Sequence, residues 1–187
     1  MGTHPHDDDR DRELLGRIAR GDRVAFEALY CGYHPRLTRF LGRLTQRQDL
    51  IEEVVNDALW VVWKKAGDFR GGSLVSTWIM GIAYRCTMKG LRRSAGLSAL
   101  SAEPVDELAV EAPVEAQERR DWIAQGLDHL PLEQRTTLQL AYYLGHSCEE
   151  IAQIMDCPVS TVKARMFHAR VKLRNLLPRL SGEERQG

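Results

Sequence analysis

The sequence predicts an all-α chain: two small helical domains joined by a flexible acidic linker. Three observations predict it. From Glu13 to about Arg93 apolar residues recur at helical spacing, and the strict alternation of a half-buried strand is absent. From Ser94 to Pro113 that periodicity gives way to Ala, Ser, Pro and acids. Beyond it, "HSCEEIAQIMDCPVSTVKARMFHARVKLRNLL" reads as a short helix, a tight turn and a long helix. The 187 residues divide into a disordered polar tail at 1–12, a first domain at 13–93, the linker at 94–113, a second domain at 114–180 and a tail at 181–187.

Each element has its own signal. A helix is expected over about 12–20, ended by Gly21-Asp22, and a second from about Arg23 into the 30s. Pro35 is suited to the first turn of a third helix, through the 40s. A fourth is expected at about 49–66, before a loop marked by Gly67 and Gly71-Gly72. Ser76 is a candidate cap for a helix starting at Thr77-Trp78 and ending near Arg92. In the second domain, which starts near Val114, Ser147 and Glu150 form the S-x-x-E capping box just before an apolar run. Ile151, Ile154 and Met155 give that short helix its buried side. Asp156-Cys157-Pro158 supplies the turn, and Ser160 is a candidate cap for the last helix. There Val162, Met166, Ala169, Leu173 and Leu176 form one narrow core seam.

Formal net charge is zero, which by itself argues against a nucleic-acid binder. The distribution says otherwise. Glu103, Asp106, Glu107, Glu111, Glu115 and Glu118 lie in a stretch without Lys or Arg. Arg85, Lys89, Arg92 and Arg93 form an acid-free patch before it, and Lys163, Arg165, Arg170, Lys172, Arg174 and Arg179 form another after it. No apolar run approaches a membrane span and the N-terminus is not signal-like, so a cytoplasmic location with reduced cysteines is expected. A Gly-rich phosphate loop and a nucleophile–base signature are both absent, which argues against an enzyme. His146, Cys148 and Cys157 flank the short helix but lack a CxxC and a fourth ligand. No cofactor, metal or small-molecule substrate is expected.

The helix at 49–66 carries an unusual outer face. Ile51, Val54, Val55, Ala58 and Val62 share the core side, while Glu53, Asn56, Asp57, Trp60 and Lys64 share the other. Like charges four residues apart cost about 0.2–0.5 kcal/mol, and a solvent-facing tryptophan beside them marks a covered surface. In "TWIMGIAYRCTMKGLRR", Trp78, Tyr84, Arg85, Lys89, Arg92 and Arg93 interleave aromatics with bases, the mix that suits unstacked bases and backbone phosphates. On the last helix Ser160, Thr161, Lys163, Phe167 and His168, flanked by Arg165 and Arg170, suit insertion into a major groove.

Taken together, "FEALYCGYHPRLTRFLGRL", "EEVVNDALWVVWKKAGDFRGGSLVSTWIMGIAYR" and "LDHLPLEQRTTLQLAYYLGHSCEEIAQIMDCPVSTVKARMFHARVKLRNLL" resemble the extracytoplasmic function (ECF) sigma factors, two-domain transcription initiation factors of bacteria. The resemblance spans Glu13 to Leu177. It implies a factor that binds core RNA polymerase, at the β′ clamp helices and the β flap, and directs promoter recognition and melting. Glu53, Asn56, Asp57 and Trp60 would meet the clamp. Trp78, Tyr84, Arg85, Lys89, Arg92 and Arg93 would open and hold the minus-ten element. Arg85 stands where an asparagine is common in the family. Ser160, Thr161, Lys163, Arg165, Phe167, His168 and Arg170 would meet the minus-thirty-five element, with His168 often an arginine elsewhere. The linker would thread toward the RNA exit path. A cognate anti-sigma factor, of a kind often bound to the membrane, would hold the chain inactive. The residues alone also admit a stand-alone helix-turn-helix regulator, with 13–93 as a dimerisation or ligand domain, and a sigma mimic that titrates anti-sigma factors. The mimic fits poorly with an intact basic recognition helix.

Overall fold

The computed structural model describes residues 5–97 and 125–180 of the chain. All of its regular structure there is helical. Helix α1 (Pro5–Ile18), α2 (Arg23–Leu41), α3 (Gln48–Lys65) and α4 (Val75–Leu97) form a first unit, with a 3-10 turn at Ala66–Asp68. A helical stretch at 125–128, α5 (Leu132–Tyr142), α6 (Cys148–Met155) and α7 (Val159–Leu180) form a second.

The first unit closes around the apolar stripe of α3. Ile51, Val54, Val55, Ala58 and Val62 are all buried, as the periodicity requires. They meet Leu37, Phe40 and Leu41 of α2 and Ile79 and Ala83 of α4 in one core. Gly90 lets α4 approach closely: a Cβ there would come within 2.9 Å of Leu50 Cδ1. Asp22 caps α2, its Oδ1 accepting the N–H groups of Val24 at 2.9 Å and Ala25 at 3.1 Å.

Several element ends differ from the sequence reading. The first helix starts at Pro5, inside the expected tail, and Asp8 is only 7% exposed. Pro35 does not open a third helix; α2 runs through it. The missing N–H would have served the Cys31 carbonyl, and Cys31 and Pro35 lie on the exposed side where water can take its place. Buried Tyr33, Leu37 and Phe40 hold the other side straight. Helix α4 starts at Val75, so Ser76 is not its cap but a buried first-turn residue. Likewise α7 starts at Val159, and the Pro158 carbonyl rather than Ser160 opens it, accepting from Thr161 at 2.9 Å and Val162 at 3.2 Å. Helix α4 also continues to Leu97, past the expected end near Arg92. The rest of the 94–113 linker, the six clustered acids from Glu103 to Glu118 and the expected helix start near Val114 lie outside the described residues.

The second unit follows the reading more closely. Ser147 Oγ accepts the Glu150 N–H at 3.1 Å, and Glu150 Oε2 accepts the Ser147 N–H at 2.8 Å, a complete capping box. Asp156 takes the left-handed conformation, φ 51°, to end α6. Val162 and Ala169 are fully buried, with Met166 and Leu173 packed against the core beside them.

Helix α1 is anchored by a buried phenol. Tyr33 donates from its hydroxyl to the Asp11 carboxylate. Burial, with that carboxylate beside it, raises the phenol well above its ordinary range. Tyr33→Phe removes the donor and nothing else. It should cost about 1.5–3 kcal/mol, the worth of a hydrogen bond to a charged group, read as a lower urea midpoint with an unchanged slope.

Candidate nucleic-acid interface

The outer face of α3 is presented as its periodicity dictates. Glu53, Asn56, Asp57 and Lys64 are exposed, and Trp60 is 55% exposed, large for an indole. The Lys64 ammonium lies 4.9 Å from the Trp60 ring centre. A residue the sequence reading passed over joins this face: Tyr30 of α2 donates to Asn56 Oδ1 at 3.2 Å and stacks at 5.2 Å on His34. Its signal was available, since helical spacing from buried Tyr33 and Leu37 puts Tyr30 at the edge of the core. Arg93, expected in a nucleic-acid patch, instead pairs across the surface with Glu53. Both partners are half-exposed, so the pair contributes about 0–1 kcal/mol.

The α4 residues fall into two groups. Arg85, Lys89, Arg92 and Arg93 are exposed along one edge. Trp78 is half-buried, its ring 5.4 Å from Phe69. Together with Asp68, Arg70, Ser73, Thr77 and Arg85, these rings line an open cleft of about 330 Å³. Aromatic, hydroxyl and guanidinium groups around such a cleft suit one unstacked base. Tyr84 is placed differently: it is buried. Burial raises its phenol, and Glu133, Cys157 and Arg165 of the second unit stand within electrostatic reach.

On α7 the exposed row is Ser160, Lys163, Phe167, His168 and Arg170, with Thr161 half-buried. Phe167 is 63% exposed, and its ring meets His168 edge-on at 5.5 Å. Two of the bases are engaged: Arg165 Nη1 lies 3.5 Å from Cys157 Sγ, and Arg170 Nη2 donates to the Tyr142 hydroxyl at 2.6 Å. No acid lies in the first turn of α7, so its positive end is unopposed where a phosphate would approach.

The two units pack against each other. Helix α6 lies on α4, with its Ile151, Ala152, Ile154 and Met155 in the same core as Ile79 and Ala83. Gly81 faces this contact: a Cβ there would meet Ile154 Cα at 3.6 Å, an ordinary van der Waals distance. Thr77 Oγ1 donates to Glu150 Oε1 at 3.2 Å. Arg135 Nη2 donates to the Leu44 carbonyl at 2.8 Å, and Gln139 Nε2 to that of Arg43 at 2.7 Å. Arg43 lies over Tyr143, 3.9 Å from the ring centre. Gln153 of α6 reaches the cleft beside Trp78. At the edge of this junction the His146 side chain is 7% exposed, 3.7 Å from Glu150. The sequence-predicted sites are therefore brought into three places: α3's outer face, the edge of α4 with its cleft, and the exposed row of α7.

Residues 29–96 match the family described as Sigma-70 region 2, and residues 120–173 match Sigma-70, region 4. The chain is 32% identical over 175 residues to the RNA polymerase sigma-H factor of Pseudomonas aeruginosa, covering 87% of this chain and 91% of that one. It is 30% identical over 178 residues to the ECF RNA polymerase sigma-E factor of Escherichia coli K12, covering 88% and 93%. Among solved structures it is similar to RpoE of Bartonella quintana in complex with the anti-sigma factor NepR. There the TM-score is 0.65 and the identity 27%, over 81% of this chain and 96% of that one. CnrH in complex with the cytosolic domain of CnrY shares the fold, with TM-score 0.67 at 22% identity over 90% and 97%.

The junction sets a pH dependence. Burial pushes the His146 imidazole below its ordinary value of 6.5, outweighing the opposite pull of Glu150, while Arg36 of α2 adds to the push. An unfolded chain therefore takes up a proton near 6.5 that the packed chain refuses. Stability is fully present above that pH and falls as pH drops through it, until the packed imidazole also protonates. The urea midpoint should fall between about pH 7.5 and about pH 5.5, and the fall should be smaller in His146→Gln.

Proposed function

The chain belongs to the extracytoplasmic function (ECF) sigma factor family, and we propose that its three exposed surfaces divide that family's work between polymerase and promoter. It is a non-enzymatic factor that directs transcription initiation. Among the described residues no helix is long and apolar enough to cross a membrane.

The observation that carries the assignment of surfaces is Trp60. A solvated acidic face explains Glu53 and Asp57 but not a half-exposed indole one turn beyond them. A partner that neutralises the acids and covers the ring explains both, and buried tryptophans dominate such interfaces. Glu53, Asn56, Asp57 and Trp60 thus dock on the β′ clamp helices of core RNA polymerase. The second unit meets the β flap.

On the promoter, the α4 cleft and the bases Arg85, Lys89 and Arg92 hold the minus-ten strand, with Trp78 as the stacking ring, and Arg93 joins them once the clamp has taken Glu53 from it. Tyr84 joins them once the second unit has moved away. A flipped base costs a few kcal/mol of stacking, which a preformed cleft offsets. Ser160, Thr161, Lys163, Arg165, Phe167, His168 and Arg170 read the minus-thirty-five element in duplex form. While α6 lies on α4, Tyr84 is buried and Gln153 stands in the cleft. Promoter engagement therefore requires the units to part, and polymerase supplies the two separate seats.

An anti-sigma factor is the proposed antagonist. RpoE, solved in complex with the anti-sigma factor NepR, supports such a partner for this chain. Cytoplasmic action is part of the same reading.

The test is core-dependent transcription. The purified chain is mixed with bacterial core RNA polymerase and a genomic promoter pool, and the transcript starts are sequenced. Discrete starts sharing two upstream motifs are expected. Asp57→Arg should weaken core binding by about a hundredfold, the scale of a reversed interface charge, and abolish those starts. Tight, sequence-specific duplex binding without core, unaffected by Asp57→Arg, would overturn the assignment.

A further inference from the structure

The loop at 69–74 walls the cleft beside Trp78, yet it supplies little order of its own. Gly71 is left-handed at φ 73°. Ser73 Oγ is spent on the Leu74 carbonyl at 3.1 Å. Leu74 opens α4, its carbonyl accepting from Trp78 at 3.1 Å, but a leucine side chain caps nothing.

The missing order comes from α1. Asp8 Oδ1 accepts the Val75 N–H at 2.7 Å, so a residue 67 positions away caps α4. Its carboxylate also stands at the positive end of that helix. Asp8 Oδ2 accepts from Arg12 Nε at 2.5 Å. Arg12 then reaches on: Nη2 donates to the Ser73 carbonyl at 2.9 Å, and the guanidinium lies 5.4 Å from the centre of the Phe69 ring. Phe69 in turn meets Trp78. Gly71 sits so near that a Cβ would come within 2.9 Å of Arg12 Nη1. Both ends of the loop, and the aromatic pair behind it, are thus tied to two side chains of α1.

We propose that Asp8 and Arg12 are positioning residues for promoter melting, which fix the wall of the base-holding cleft through Val75, Ser73 and Phe69. The inference rests on the reading of that cleft as the minus-ten site. Neither side chain touches DNA in this scheme. Their effect is on how often the wall is in place when a base leaves the stack.

The test uses the full chain with core polymerase and a duplex promoter taken from the sequenced starts, with 2-aminopurine in the minus-ten element. Arg12→Ala should slow fluorescence-detected opening by about tenfold, the scale of one charge-assisted contact. Core affinity and melting temperature should stay near those of Arg10→Ala, an exposed position on the same helix. Arg12→Lys keeps the charge but not the fork, so it should restore only part of the rate. Trypsin should cut after Arg70 faster in Arg12→Ala than in the unaltered chain, since a loosened loop opens more often. Unchanged opening and cutting in Arg12→Ala, with the unaltered chain active, would overturn the positioning role alone. Core affinity or melting temperature falling in step with the opening rate would reduce Arg12 to a stability contact and overturn it too. An unaltered chain that binds core and starts transcripts, but never opens this duplex at the labelled base, would bring down the reading of the cleft and the inference with it.

Discussion

Everything in this molecule is arranged around α4, and α4 is packed from two opposite sides. Gly81 and Gly90 are nine positions apart, two and a half helical turns, so they face opposite ways. Gly90 admits Leu50 of α3, and Gly81 admits the backbone of α6 at Ile154. Each glycine costs about 1 kcal/mol of helix propensity relative to alanine. At Gly90 the helix accepts that cost because Leu50 lies too close for a Cβ, whereas at Gly81 a Cβ would meet α6 in ordinary contact. Its remaining edge is left for arginines and lysine, and its first turn for the cleft.

The two packings are not equivalent. Against α3 the buried contact is apolar, built from Val54, Val55, Ala58 and Val62, and the Arg93–Glu53 pair lies only at its exposed rim. The seam with the second unit is mixed. Gln139 is 3% exposed and bonds across the seam with its amide nitrogen, but its Oε1 has no hydrogen-bond partner. Arg135 Nε is likewise buried and unbonded, although its Nη groups reach Leu44 and Asp128. A buried polar atom left unmade costs about 1–3 kcal/mol, and parting the units returns both atoms to water. The apolar share of the seam is thereby offset, so the contact is suited to being exchanged for others. His146 adds to this below about pH 6.5, since burial disfavours the proton that it would take up once exposed.

What the sequence disclosed was whatever one helix decides by itself. The two faces of α3, the capping box at Ser147 and Glu150, and the seam of α7 all follow from spacing along a single segment, and the structure has each of them. The misplaced caps share another cause. Ser76 and Ser160 are good caps by type, but the chain's own geometry put the helix starts at Val75 and Val159. For α4 the acceptor came from a distant helix, and no local rule distinguishes Asp8 from its neighbours Asp7 and Asp9. Pro35 was read as a start because its ring suits one. Packing of Tyr33 and Leu37 on the opposite face overrode that preference. Tyr84 was read as available to bases on composition, whereas a second unit lying on α4 is a long-range fact.

The cap on α4 also orders events in time. A ribosome releases α1 before any other part of the first unit, and domains tend to close as they emerge. Until Val75 arrives, Asp8 has Arg12, one turn along its own helix, as its companion. The first turn of α4 is then completed by a side chain that has waited 67 residues for it. Long closures of this sort come late, because chain entropy is lost before the contact is gained. Among the hydrogen bonds described within that unit, the one that fixes the loop flanking the cleft spans the longest stretch of chain and so carries the largest closure entropy.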